Sequence, residues 1–218
     1  MWYNRGVTAM MPAGPILLVI LLVLICFGLV DGVLERMGVS HRHALLSVGA
    51  MLAGAALEID LAPGLSINVG TGVVPLAAAL YLMVTSATWD ESARAFGAVL
   101  ATAGGVYLVG RWFPPGEPTE LNLFLMDAQY LYAMTAGLVG FTAGRSHRAG
   151  FVAAVLGVML ADLTHYLGYL QVGLRADVVV HLGGGGFWAT TMLAGVLALL
   201  VAAFVGEPRG VVAKGEQQ

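Results

Sequence analysis

At 218 residues, with 59% hydrophobic and only 11% charged side chains, the chain carries far less charge than the roughly 25% usual in a soluble domain. A water-soluble globule of this size cannot hide so much apolar surface, whereas a bilayer supplies the apolar phase itself. A net charge of −3 excludes the basic footprint of nucleic-acid binding, and a single cysteine, Cys26, excludes a disulfide framework within one chain.

A spanning helix needs about 20 mostly apolar residues, and the chain divides into about seven such stretches. The first runs over 12–30. Arg5 ahead of it imitates a signal peptide, but no small-x-small site follows, and Asp31, Gly32, Glu35 and Arg36 close it as a loop. A retained first helix is therefore expected, with a cleaved signal as the alternative. The second span covers 44–61 and is broken by Pro63 and Gly64; the third covers 67–86 and enters through Asn68, Gly70 and Gly72. The fourth covers 93–109, and Pro114, Pro115 and Pro118 mark the loop after it. The fifth covers 121–143, the sixth 150–170 and the seventh lies within 178–205. The expectation is one all-α integral membrane domain over 1–218, a polytopic helix bundle whose third and seventh segments are broken by glycines. The stretch 178–205 is too long for one untilted span, and a broken or re-entrant start at Gly183, Gly184, Gly185 and Gly186 accounts for the excess.

Basic residues orient the chain. Arg5, Arg111 and Arg175 fall on one side; Arg36, Arg42, Arg94, Arg145, Arg148, Arg209 and Lys214 fall on the other. The richer side belongs in the cytoplasm, which puts the N-terminus outside a prokaryotic plasma membrane and the C-terminus inside.

Spans two–three and six–seven share a pattern: acid near the outer end of the first helix (Glu58 and Asp60, then Asp162 with His165), a short connection, then a glycine cluster. An even number of spans separates the copies, so they run in the same direction, as in transporters with a site at a repeat interface.

Asp162 follows a long apolar run, and a charge at that depth requires a cavity, a polar partner or a proton. His165 lies one helical turn on, placed to share a proton with it. Asp127 sits at a depth within about 3 Å of Asp162, on the preceding helix, so the two carboxylates are candidates for a shared-proton pair. Glu58 and Asn68 are the candidates at the equivalent place in the first copy. Freed backbone at the glycine breaks could hold an ion. Ser146-His147 and His41/His43 read as solvated loop surface. Phosphate-loop, dinucleotide and zinc-helix motifs are absent. No cofactor and no metal site is expected; the expected partners are the lipid bilayer and a small solute or ion, not nucleic acid.

Three stretches, Asn68-Val69-Gly70-Thr71-Gly72-Val73-Val74-Pro75, Leu156 to Leu163, and Leu182 to Gly186, give a resemblance. The chain resembles DUF1614, a prokaryotic membrane family of unknown function. Leu160 stands where that pattern has glycine, and Phe187-Trp188-Ala189 stands where it places an acid. The resemblance implies membrane location and no assigned activity. A more distant likeness is to intramembrane aspartyl proteases, but Met159-Leu160-Ala161-Asp162 lacks their two glycines and Met126 replaces the tyrosine before the first aspartate, Asp127.

Three functions follow. The leading expectation is a proton- or cation-linked transporter or channel using Asp162, with His165 and Asp127 assisting. A non-catalytic membrane subunit or scaffold comes next, and a protease built on Asp127 and Asp162 last.

Overall fold

A computed structural model describes residues 13–85, 88–113, 128–173, 179–184 and 190–205, with backbone alone at 13–18, 128 and 204. The chain is mostly helical. In order come α1 (Ala13–Cys26), α2 (Asp31–Met37), α3 (His41–Gly54), β1 (Glu58–Ala62), β2 (Leu65–Asn68), a π-helical turn (Val69–Val73) and α4 (Val74–Val84). Then come α5 (Trp89–Trp112), α6 (Ala128–Gly144), α7 (His147–Val172), β3 (Val180–Leu182) and α8 (Thr190–Val205). Among the described residues two helices, α5 with 24 residues and α7 with 26, are long and apolar enough to cross a membrane.

Helix starts follow local chemistry. Thr88 caps α5, accepting the Glu91 N–H at 3.3 Å, and Asp90 and Glu91 sit in its first turn, where the helix dipole favours negative charge. Ser146 caps α7 through the Ala149 N–H at 3.1 Å. Ser146 and His147 are buried, at 5% and 1% exposure, which corrects their assignment to solvated surface: the cap lies inside the packed end of the bundle. His41 is likewise engaged, its Nδ1 lying 2.9 Å from Asp31 Oδ1.

Several of the expected spans have different bounds. The first is helical only as far as Cys26. The second ends as helix at Gly54, and Glu58–Ala62 is strand. The third is β2, the π-helical turn and the short α4. The seventh opens as β3 and becomes helical only at Thr190. Glu58-Ile59-Asp60-Leu61 and Leu65-Ser66-Ile67-Asn68 alternate polar and apolar residues about Pro63-Gly64, a hairpin pattern that outweighs their apolar content. Gly64 takes the turn at φ +73°, a conformation costly for other residues. β1 pairs antiparallel with β2, and β2 pairs parallel with β3, Ser66 opposite His181 and Ile67 opposite Leu182.

The core is built on α7. A Cβ added to Gly157 would lie 2.6 Å from the Thr102 side chain, and one on Gly110 3.0 Å from the His165 ring; the matched offsets make α5 and α7 parallel. Gly140 meets Ala154 and Gly144 meets Ala149 and Gly150, so α6 is antiparallel to α7. Gly195 of α8 meets Phe151. Small residues here let helix backbones approach closely, and Ala133, Ala136, Ala154, Ala161, Ala194 and Ala198 continue the same seam. Arg148 ties α4 to the start of α7, its Nε donating to the Leu82 carbonyl at 2.9 Å. Arg36 of α2, Arg42 of α3, Arg94 of α5 and Arg148 of α7 thus gather at one end of the bundle, whereas Arg111 closes α5 at the other, where the sheet sits.

At the sheet end, a Cβ on Gly70 would collide with the Met51 carbonyl and lie 2.5 Å from the Ala55 nitrogen, whereas Gly49 in mid-α3 has nothing within 4 Å. Gly70→Ala is expected to lower stability by about 1–3 kcal/mol through overpacking against rigid backbone. Gly49→Ala should leave stability unchanged or raise it by up to about 1 kcal/mol. Melting of the two variants in detergent checks the contrast.

Candidate functional site

Two glycine-broken segments meet at the sheet end. In the first, Asn68 is buried at 2% exposure. Its Nδ2 donates to the Ala55 carbonyl at 2.8 Å, and its Oδ1 accepts the Thr71 N–H at 3.0 Å and the Thr71 hydroxyl at 3.1 Å. Asn68 thus caps the π-helical turn, a role that uses both ends of its amide. Gly70 and Gly72 give the close approaches: the one to α3, the other to Ile67 and the Leu182 carbonyl.

In the second, β3 gives way to Gly183, which has φ +81°, with Gly184 at φ +91°. Asp162 Oδ2 accepts the Gly183 N–H at 2.8 Å. The Gly183 carbonyl accepts the Thr191 N–H at 3.2 Å and also the Thr191 hydroxyl. Thr191 is fully buried and stands at the start of α8. One residue is therefore held on both faces of its backbone, by the acid of α7 and by the helix that follows. A Cβ on Gly183 would collide with Thr191 Oγ1 and lie 3.5 Å from Gly72 Cα, so the two breaks pack directly on each other. β2 and β3, which lead into the two breaks, run parallel.

Asp162 is half-buried on α7. His165, expected to pair with it, does not. Its ring stacks on Tyr107 of α5, with centroids 5.1 Å apart and planes at 28°, and lies against Gly110. Among the described residues no hydrogen bond joins it to Asp162. The cause is packing: at Gly110 the absent side chain leaves a slot that the imidazole fills. Asp127, Gly185 and Gly186 lie outside the described residues, so the Asp127–Asp162 pair has no geometry here.

Glu58 belongs to a cluster that the sequence did not suggest. The Ser66 hydroxyl donates to Glu58 Oε1 at 2.6 Å and lies 2.7 Å from His181 Nδ1; His181 Nδ1 also meets Glu58 Oε1. The register puts Glu58, Ser66 and His181 on one sheet face, across all three strands. The residue types are those of a hydrolytic triad, but the geometry is not. Ser66 and Glu58 converge on the same ring nitrogen, so the imidazole cannot pass a proton between them through its two nitrogens, and Ser66 is only 1% exposed. The missed signal was the alternation of Leu65-Ser66-Ile67-Asn68 followed, far along the chain, by the short run Val178 to Leu182; only pairing brings them together.

The Ser66 hydroxyl holds the Glu58 carboxyl below the ordinary glutamate range, against partial burial, with the His181 ring adding to the effect. A lowered folded-state value stabilises the protein above the unfolded value, and that stabilisation is lost as pH falls through the folded value. Wild type should therefore melt above Glu58→Gln at neutral pH. The gap should persist down to the ordinary glutamate range and close below it, as read by thermal unfolding in detergent across pH 7 to 3.

The sequence profile of a family described as "Protein of unknown function (DUF1614)" matches residues 51–201. That stretch runs from α3 into α8 and holds both glycine breaks and Asp162. No curated protein and no solved structure matches the chain. The match spans well over half of the residues, and the chain belongs to the DUF1614 family.

Proposed function

We propose that this chain is a multi-pass α-helical protein of a prokaryotic plasma membrane, and that Asp162 is the proton- or cation-binding group of a transporter or channel. The observation that carries the reading is the position of Asp162. Its carboxylate reaches out of a helix long enough to span a bilayer and holds the backbone of a broken segment, where that segment meets a second one.

Several features support the membrane setting. Trp89 and Trp112 close the two ends of α5, at 85% and 79% exposure, about 35 Å apart along the helix. That spacing suits two interfacial belts on either side of a hydrocarbon layer about 30 Å thick. The alternating directions of α5, α6 and α7 suit successive spans. From the offset between Gly110 and His165, Asp162 lies level with about residue 107 of α5, some 7–8 Å short of Trp112. Such an acid is expensive unless it meets something polar. A solute or ion that engages Asp162 competes with the Gly183 N–H, which links binding to the geometry of the break. His165, Asn68 and Glu58 then act around this group rather than as ligands beside it.

A non-catalytic membrane subunit is the second reading. It is favoured by the internal pairing of Asn68, Thr71 and Thr191, which leaves these groups committed to the fold.

Two experiments follow. In a Cys26→Ser background, Glu35→Cys should react with a membrane-impermeant maleimide only in inverted vesicles, and Asp60→Cys only in intact cells; the opposite pattern reverses the orientation. In liposomes loaded with a pH-sensitive dye, wild type should carry proton-linked flux that Asp162→Asn reduces by tenfold or more (about 1.4 kcal/mol). Equal flux in the two removes Asp162 from the mechanism, and absence of flux in wild type favours the subunit.

A further inference from the structure

β3 is three residues long, yet both titratable clusters of the sheet end hang on it. His181, at its middle, meets Glu58 and Ser66. Gly183, the residue after its end, donates its N–H to Asp162 and gives its carbonyl to Thr191. The two attachments lie about 6–7 Å apart along extended backbone. Pairing of Ser66 with His181 and Ile67 with Leu182 leaves little slack between them.

We propose that β3 couples the two clusters, so that the protonation state of Asp162 and that of the Glu58–His181 pair each set the other through the position of this strand. The proposal deepens the reading of Asp162 as a titrating acid and rests on it. An ionised carboxylate makes a stronger bond to an amide N–H than a neutral one does. A proton on Asp162 therefore loosens Gly183, and β3 shifts against Glu58. A proton on Glu58 removes the charge that holds His181, and the strand relaxes toward Asp162. Coupling between two sites acts equally in both directions.

Among the described residues the groups facing this strand are few. β1 contributes Glu58 and Asp60, and β2 contributes Ser66. α7 contributes Asp162 and Tyr166, whose hydroxyl donates to the Pro63 carbonyl at 3.2 Å, while His165 on the same helix turns away to Tyr107. α8 carries no titratable residue.

The test is an NMR titration of the full chain in nanodiscs with isotope-labelled histidine, His181 being assigned by loss of its signal in His181→Gln. Asp162→Asn should move the His181 midpoint by fivefold or more in proton affinity, about 0.7 pH unit, the low end of typical coupling. Thr191→Val removes the hydroxyl bond to the Gly183 carbonyl, leaving only the backbone N–H of residue 191 on it, without altering any charge, and it should also move the midpoint. His41 and His43, at the opposite end, should stay where they are. An unmoved His181 midpoint in both variants overturns the proposal. Movement in Asp162→Asn alone reads charge acting through space and also overturns it. If Asp162→Asn does not fold, Thr191→Val decides by itself. Flux is measured separately: a shifted midpoint without flux retires the transport reading and leaves the coupling, and flux with an unmoved midpoint does the reverse.

Discussion

Where a chain leaves helical form in apolar surroundings, each freed N–H and C=O needs a partner from the protein, because an unpaired one costs on the order of 1–3 kcal/mol or more. The sheet end of this molecule is organised by that requirement. Asn68 serves the first break with both halves of its amide. Thr191 serves the second through its N–H and its hydroxyl, and Asp162 supplies the remaining acceptor. β2 and β3 pair for the same reason: two short extended stretches satisfy each other's backbones where no helix can. The glycines follow from the pairing, since Gly70, Gly72 and Gly183 stand where a side chain would meet backbone or a buried hydroxyl.

α7 turns this local solution into a fold. Its small residues, Ala149, Gly150, Ala153, Ala154, Gly157 and Ala161, give flat surfaces to α5, α6 and α8. The seam runs directly into Asp162, so the acid is placed by close helix packing. A carboxylate so placed has little room to choose partners. It takes the amide that β3 presents, and the neighbouring imidazole takes the slot that Gly110 leaves open. The acid and the histidine are one turn apart on a helix and yet serve different neighbours.

The Glu58–Ser66–His181 cluster shows how residue types mislead without geometry. Three groups common in hydrolases meet, but on one ring nitrogen and over a buried hydroxyl, which suits sharing a proton rather than attacking a carbonyl. Proton sharing is also the chemistry that the proposed function asks of the sheet end. That agrees with an acid held on a broken segment and with the bilayer setting proposed above.

Composition alone marked this chain as rich in apolar helices, and the apolar stretches 93–109 and 150–170 fall inside α5 and α7, as the described part of 121–143 falls inside α6, because apolar runs are properties of neighbours in sequence. Glycine clusters at Asn68–Gly72 and Gly183–Gly184 announced the breaks, since only glycine tolerates those conformations and contacts cheaply. Asp162 announced itself by its cost in apolar surroundings. The sheet was legible only in part: the alternation about Pro63-Gly64 was present, but its apolar content read as the end of one span and the start of another. What tertiary structure alone decided is pairing. Ser66 meets His181 across more than a hundred residues of chain, Asp162 meets an amide rather than a histidine, and His165 turns to Tyr107, because such contacts depend on how whole helices and strands lie against one another, which no local pattern encodes.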